Sequence, residues 1–308
     1  MPPTPPPHAS IVIPVWNGLH DTIACLTSLT ALTYPSFSII VVDNGSTDGT
    51  DETVAAWSRR HLDVLVIRHE QNLGFTKGCN AGIRQALDSG AQYVLLLNND
   101  TETTPDFLTI LIEAAETDEQ VGITGPKIYK FGSENIIDSA GVHAIPWLAQ
   151  PFLLGHGEKD AGQYDRRRPV PYITGCALLI KRSVIERMGL LDEDYTSYFE
   201  DFDWGYRATR LGYQLMYIPE AVIWHKGSQT SRLWSPFYYY HNTRSRVVFA
   251  RKHSPILLFL FAFLPYLLSY RYLLPALRLI RQGKWSHIRS LHQGMVDGFK
   301  ARLTPKTH

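Results

Sequence analysis

Between Ser231 and the last residue the chain has a single carboxylate, Asp297, set against 13 lysines and arginines. The first 230 residues hold 28 acidic groups against 17 basic ones, so a formal net charge of +1 conceals segments of +12 and −11. An asymmetry of that size points to a polyanionic partner for one segment. The apolar run inside the basic segment favours an anionic membrane surface over nucleic acid. Cysteine is scarce too: Cys25, Cys79 and Cys176 have neither paired nor metal-ligand spacing, which predicts reduced packing residues in a cytosolic protein. The amino terminus, Met-Pro-Pro-Thr-Pro-Pro-Pro, lacks a basic stretch followed by an apolar one. It does not read as a signal peptide, and a disordered proline-rich arm over 1–8 is expected. No Gly-x-Gly-x-x-Gly follows the first apolar run, which continues Pro14-Val-Trp-Asn-Gly18, and no Walker spacing occurs, so a Rossmann dinucleotide site is not expected. What remains, at 44% hydrophobic and 19% charged residues over 308 positions, is globular material with ample core.

Apolar runs at 10–15, 37–42, 64–67 and 93–97 alternate with helical patterns at about 19–32, 51–60 and 76–89. Thr104-Pro105 suggests a fourth helix with proline at its first position. Strands that are apolar throughout and alternate with helices imply a parallel sheet covered on both faces, with ligands outside the carboxyl ends of its strands. Asn17, Asp43, Asn72 and Asp100 all fall just past such ends. From Pro126 to Pro171 the periodicity weakens, which predicts irregular loops and short antiparallel strands. Ser183-Val-Ile-Glu186 has capping-box spacing for a short helix ending at Gly189, and runs at 214–218 and 221–224 lead to His225.

Four segments carry chemistry. Asp43-Asn44-Gly-Ser-Thr-Asp-Gly-Thr50 could accept the imide hydrogen of a pyrimidine base through Asp43, although the same residues also make a good turn. Asn72-Leu-Gly74-Phe-Thr-Lys77-Gly-Cys-Asn80 places Gly, Lys and Asn at a helix start, which suits a diphosphate. Asn98-Asn99-Asp100 supplies hard oxygen donors of the kind Mg²⁺ or Mn²⁺ takes alongside substrate phosphates, and His225 could add a nitrogen. In Tyr198-Phe-Glu200-Asp201-Phe-Asp203-Trp204 three acids lie among large aromatics, a setting that raises a carboxylate pKa toward that of a general base; equally, they suit the start of a helix.

Taken in order over roughly 9–230, these segments resemble family 2 glycosyltransferases, inverting enzymes with a GT-A fold. The carriers are Ile-Val-Ile-Pro-Val-Trp-Asn, the Asp43 and Asn72 segments, Leu-Leu-Leu-Asn-Asn-Asp-Thr, Thr-Gly-Cys-Ala-Leu-Leu-Ile, Glu-Asp-Phe-Asp-Trp and Trp-His. The branch it looks most like is the rhamnosyltransferase-type one. The resemblance implies an α/β fold with a mainly parallel central sheet and flanking helices. It implies a nucleotide-diphospho-sugar bound near Pro14, Val15, Asn17, Asp43, Asn44, Asn72, Gly74, Lys77, Asn80, Asn98 and Asn99, with Asp43 on the base. Asp100 would bind Mg²⁺ or Mn²⁺ and His225 would complete its shell. Asp201 would deprotonate the acceptor hydroxyl, with Glu200 and Asp203 as other possible bases. Asn98 stands where the family more often has Asp; the branch often carries Asn there, so activity is still expected. A non-catalytic sugar-nucleotide-binding scaffold and a nucleotidyltransferase are the alternatives.

Residues 231–308 form the remaining unit. Ser254–Tyr270 is 17 residues without a charge, about 26 Å as a helix and slightly short of a roughly 30 Å hydrocarbon core. Pro265 interrupts it; Arg271, Arg278 and Arg281 then share a helical face, and Trp234 and Tyr238–Tyr240 suit a headgroup zone. In-plane or re-entrant membrane association is expected, at the inner face of the cell membrane. The alternative is a buried helix that covers the catalytic unit or makes a dimer contact. A membrane tail suggests a lipid-linked glycan acceptor, as in surface polysaccharide assembly.

Overall fold

The computed structural model describes residues 5–133, 135–227 and 234–304. Its first half alternates strand and helix: β1 (Ala9–Val15), α1 (Leu19–Leu29), β2 (Phe37–Asp43), α2 (Thr50–Ser58), β3 (Val64–Arg68), α3 (Phe75–Asp88) and β4 (Tyr93–Leu97). These four strands pair in parallel in the spatial order β4-β1-β2-β3. All seven residues of β1 are buried, because helices cover both faces. Ile11 and Ile13 pack with Leu26 and Leu29 of α1 on one side, and Val12 packs with Cys79 and Ile83 of α3 on the other. The three cysteines are buried and unpaired, and burial pushes the Cys25 thiol up to about 12.

The second half departs from the expected mainly parallel sheet. After β5 (Thr101–Thr103) and α4 (Phe107–Glu116) come β6 (Val121–Lys130), β7 (Ile137–Ser139), β8 (Val142–Ile145), β9 (Gln150–Leu153), β10 (Arg168–Pro169) and β11 (Ala177–Lys181). Then follow α5 (Arg182–Met188), α6 (Glu200–Arg210) and β12 (Gln214–His225). Strand β11 lies between β4 and β6 and runs antiparallel to both, whereas β12 is parallel to β6. The sheet is therefore mixed. The second half of β6, 126–130, falls in the region expected to be irregular, and the sequence predicts no element over 121–125; Gly122, Gly125 and Pro126 disguise the strand, yet the glycines leave room for Val184 and Ile173 to pack. Helix α4 begins at Phe107, two residues beyond Pro105, and the expected capping box is absent: α5 starts at Arg182 with Lys181 as its cap and no side-chain cap bond. Of the expected disordered arm, residues 1–4 lie outside the described residues. Pro7 and His8 are tied down: the Pro7 carbonyl accepts from Tyr34 at 2.6 Å, and the His8 ring bonds Ser36 and Ser38.

Three helices close the chain: α7 (Pro236–His253), α8 (Ile256–Arg281) and α9 (Trp285–Lys300). Ser235 caps α7 by accepting from Tyr238 N at 3.2 Å. Phe249 of α7 stacks on Phe202 of α6 at 4.5 Å, and Lys252 bonds Asp192 and Asp194. Helix α9 lies so close to α7 that a Cβ on Gly294 would come within 2.3 Å of the Tyr240 carbonyl. Part of the basic surplus is thus consumed inside the protein, where Arg246 and Lys252 are buried. Pro255 divides the expected 254–270 helix from α7. Helix α8, 26 residues long, has the length and composition to cross a membrane. It buries Phe263, Leu267, Ala276 and Leu279 and exposes Ile256, Leu257 and Phe261.

Candidate functional site

The carboxyl ends of β1, β2 and β4 open onto a cavity of about 540 Å³. It is lined by Pro14, Val15, Asn44, Asn72, Gly74, Asn98, Asn99 and Asp100 from the strand ends and by Glu200 and Asp201 from α6, with Trp16, Tyr198 and Phe237 adding aromatic surface. Parallel strands place their loops at one edge, which is why residues 14–100 converge there.

On the strand-end side the residues divide into walls and clamps. Asp43 is fully buried; one oxygen accepts from Ser46 N at 2.9 Å, and Oδ2 has no hydrogen-bond partner. A buried carboxylate oxygen without a donor is costly; Asp43 itself does not line the cavity, its neighbour Asn44 does. Asn17 accepts from Thr47 N at 2.8 Å and holds the 43–50 loop without lining the cavity. The Asn44 amide donates to Asn72 Oδ1 at 2.9 Å and to the Gly74 carbonyl at 3.0 Å, which fixes the 72–74 turn. Gly74 has φ +91°, and a Cβ there would meet Thr196, so only glycine fits without strain. Besides Asn17 and Asp43, two more expected donor-binding residues stand away from the cavity. Asn80 is buried against the loop that follows α5, where it bonds Leu191 and Glu193; Lys77 lies exposed.

Asp100 and His225 are brought together by sheet register. Strand β5 pairs with β12 so that Thr101 faces His225, and Lys226 N donates to the Asp100 carbonyl at 2.9 Å. His225 Nε2 then lies 3.3 Å from Asp100 Oδ1 and makes no hydrogen bond, whereas Nδ1 bonds Asp138 Oδ2 at 2.9 Å. Burial alone favours the neutral ring, but Cys176, Asp100 and Asp138 outweigh it and raise the imidazole well above its ordinary value. Burial likewise opposes the Asp138 charge; His225 outweighs it and holds that carboxyl below the usual range. A ring held by a carboxylate at one nitrogen with the other aimed at a second carboxylate is how metal-binding histidines are oriented. The donor set therefore fits a divalent cation. Among the described residues no group of three or more His, Cys, Asp or Glu could hold a metal, so substrate oxygens would have to supply most of the shell. Asp138 carries no motif in the sequence, and only the β6–β7 pairing brings it to His225.

The three acids of α6 separate by role. Tyr198 and Phe199 both have positive φ, 63° and 72°, a double left-handed turn that costs about 1–3 kcal/mol per residue and swings Glu200 and Asp201 into the first helical turn. Asp201 Oδ2 accepts from Tyr172 Oη at 2.6 Å and from Gly175 N at 2.7 Å, and Oδ1 accepts from its neighbour Phe202 N at 2.8 Å. Burial raises its pKa against these three bonds, which lower it. Glu200 is raised well above the carboxylate range by burial and by the Asp201 charge, and its Oε2 has no partner. Asp203, one of the possible bases, faces the opposite way. It bonds Arg207 and His253 at 2.6 Å each, and Tyr195 at 3.2 Å. Burial works against that carboxylate, but His253 and Arg207 outweigh it and hold it below the ordinary range. It anchors α6 to α7 and does not reach the cavity.

Residues 10–189 match the family model "Glycosyl transferase family 2". The chain is 29% identical over 250 residues to the N-acetylglucosaminyl-diphospho-decaprenol L-rhamnosyltransferase of Mycobacterium tuberculosis, covering 74% of this chain and 80% of that protein. Among solved structures it is similar to the mannosyltransferase PcManGT of Pyrobaculum calidifontis in complex with GDP-Man and Mn²⁺ (TM-score 0.60, 18% identity, 95% and 87% coverage). It is likewise similar to S. aureus TarS 1–349 with UDP-GlcNAc (TM-score 0.57, 17% identity, 94% and 81% coverage). The fold is the GT-A glycosyltransferase fold, and the chain belongs to glycosyl transferase family 2, in its rhamnosyltransferase-like branch.

Proposed function

We propose that this protein is an inverting glycosyltransferase that moves a rhamnose-like sugar from a nucleotide-diphospho-sugar to a hydroxyl of a lipid-linked glycan acceptor. The observation that carries the reading is that Asp100 and Asp201, on separate chain segments, line the same cavity. Inversion requires the departing diphosphate on one face of the sugar and the base on the other, and on this reading a sugar bound in the cavity lies between the two carboxylates. On this reading Asp43 accepts from the nucleobase, and the Asn44–Asn72 clamp holds the loop over the diphosphate. Asp100 and His225 would hold Mg²⁺ or Mn²⁺, which when bound supplies charge to stabilise the departing diphosphate. Asp201 takes the acceptor proton; its hydrogen bonds from Tyr172 and Gly175 fix the carboxylate in place. Trp16, Tyr198 and Phe237 exclude water.

The mycobacterial relative is named for a diphospho-decaprenol acceptor, and the exposed apolar side of α8 is suited to the membrane surface where such a lipid resides. On this reading the protein works at the inner face of the cell membrane. The deciding experiment incubates purified protein with a panel of nucleotide sugars and a synthetic GlcNAc-diphospho-lipid, with and without Mn²⁺. Product linkage is then read by NMR. A product with inverted anomeric configuration is expected; retention, or binding without transfer from any donor, would overturn the reading.

A further inference from the structure

Arg246, on α7, is 3% exposed, yet its hydrogen bonds run only to neutral oxygens: the Ala149 carbonyl, Gln150 Oε1 at 3.2 Å and Asn242 Oδ1 at 3.3 Å. Arg271 reaches in from α8 and donates to the same Asn242 oxygen at 3.5 Å. Among the described residues no carboxylate forms an ion pair with either guanidinium. Burial and the Arg271 charge pull the Arg246 pKa down to about 9, so the group stays charged at neutral pH. A buried cation without a counter-ion is costly, and two that converge on one amide oxygen are arranged to receive an anion. Their position says which one. Asn242 lines a second cavity of about 130 Å³ together with Tyr172, Glu200 and Asp201, so the amide that both arginines contact is what joins them to the carboxylates. Tyr266 of α8 donates to Gln150, which ties the exposed helix to this cluster.

We propose that Arg246 and Arg271 bind the phosphate adjoining the sugar of a lipid-linked acceptor. The inference rests on the transfer reading above and adds to it a site for the acceptor's charge. A sugar with its reactive hydroxyl at Asp201 would point its phosphate-bearing end toward Asn242. The guanidinium fork suits two phosphate oxygens at once. The hydrocarbon chain then leaves along α8, where Leu268 and Leu274, about one turn to either side of Arg271, are 50% and 54% exposed. A lipid headgroup offers the same phosphate chemistry, so the test has to separate the two sources.

Full-length protein in detergent is given either a short-chain GlcNAc-diphospho-lipid or octyl GlcNAc glycoside, which lacks phosphate. Arg271→Gln should lower the preference for the diphospho-acceptor, as a ratio of kcat/KM values, at least tenfold. Donor KM should be unmoved, and Arg271→Lys should recover part of the preference. An equal loss on both acceptors would mean a structural role and overturn the proposal. In a second arm, calorimetry without donor measures binding of the same diphospho-lipid, which remains readable even if no transfer is found. A tenfold weaker Kd in Arg271→Gln supports the site. Unchanged affinity, or no binding by the unsubstituted protein, refutes it whatever the fate of the transfer reading. In a third arm, loss of co-sedimentation with phosphatidylglycerol vesicles while diphospho-lipid affinity is kept would assign the arginines to headgroups and overturn the proposal. Arg246→Lys, checked by its melting curve, should repeat the calorimetric result.

Discussion

Removing the Tyr172 hydroxyl is the cleanest perturbation of the proposed base. Tyr172→Phe deletes one 2.6 Å hydrogen bond to Asp201 Oδ2 and keeps the ring, whose edge contact with Phe202 at 5.3 Å preserves packing. That bond favours the ionised carboxylate, whereas burial disfavours it, so its loss moves the Asp201 pKa further up. A hydrogen bond to a charged group is worth about 1.5–3 kcal/mol, and 1.36 kcal/mol corresponds to one pKa unit, so the expected rise is about 1–2 units. In a kcat/KM profile the acid limb should move to higher pH by that amount, with donor KM unchanged. Because Glu200 adjoins Asp201 and both are raised, the limb reports the pair. Repeating the measurement in a Glu200→Gln background assigns it. If a folded Tyr172→Phe with normal donor binding leaves the limb in place in both backgrounds, Asp201 is not the group that takes the proton.

Asp201→Asn should cost kcat about 10²–10⁴-fold with little change in donor affinity, whereas Asp203→Asn should lower the melting temperature, because breaking a buried ion pair costs about 3–5 kcal/mol, and keep more activity; stopped transfer assays and melting curves compare the two. Asp100→Ala should abolish transfer, and excess EDTA should do the same to the unsubstituted protein; full turnover in EDTA would remove the metal from the mechanism. Glu200 has a folded pKa above its unfolded value, so its favourable contribution to stability is complete below about pH 4.5 and is lost as pH rises through the folded value. Glu200→Gln should therefore melt higher than the unsubstituted protein at pH 7 and match it more closely at pH 4, which calorimetry can follow. Replacing Ile256, Leu257 and Phe261 of α8 with Ser should release the protein from liposomes without unfolding it; equal sedimentation of both proteins would dismiss the membrane role of that surface.

Much of the site was legible because parallel strands deliver their loops to one edge: Asp43, Asn72 and Asp100 could be placed there from apolar runs and turn residues alone. Within single motifs the reading was coarser than the geometry. Asp201 and Asp203 are two positions apart, about 200° around a helix, so they had to face different ways, and the structure gives one to the cavity and the other to Arg207 and His253. Asn80 shared a motif with Gly74 but lies a turn and a half farther on, where the helix turns it toward Leu191. Asp138 was illegible because it is an isolated acid, and only long-range pairing of β6 and β7 brings it to His225. The tail was half legible. Its charge surplus was plain, but the burial of Arg246 and Lys252 depends on contacts with Ala149, Asp192 and Asp194, about 60 to 100 residues away in the chain.

The reversed direction of β11 has a consequence for how this architecture can diversify. Because that strand runs against β4 and β6, its amino end reaches the same edge of the sheet as the carboxyl ends of β1 and β4, and Gly175 arrives there next to Asp201. The middle of the excursion between β6 and β11 can therefore lengthen, shorten or change sequence while Asp138 stays on His225 and Tyr172 and Gly175 stay on Asp201. Ala149, Gln150 and Pro151, which face Arg246 and the smaller cavity, all belong to that excursion. If the acceptor binds beside Arg246 as proposed, the part of the excursion around 149–151 sets acceptor preference while the donor loops on β1, β2 and β4 are left untouched.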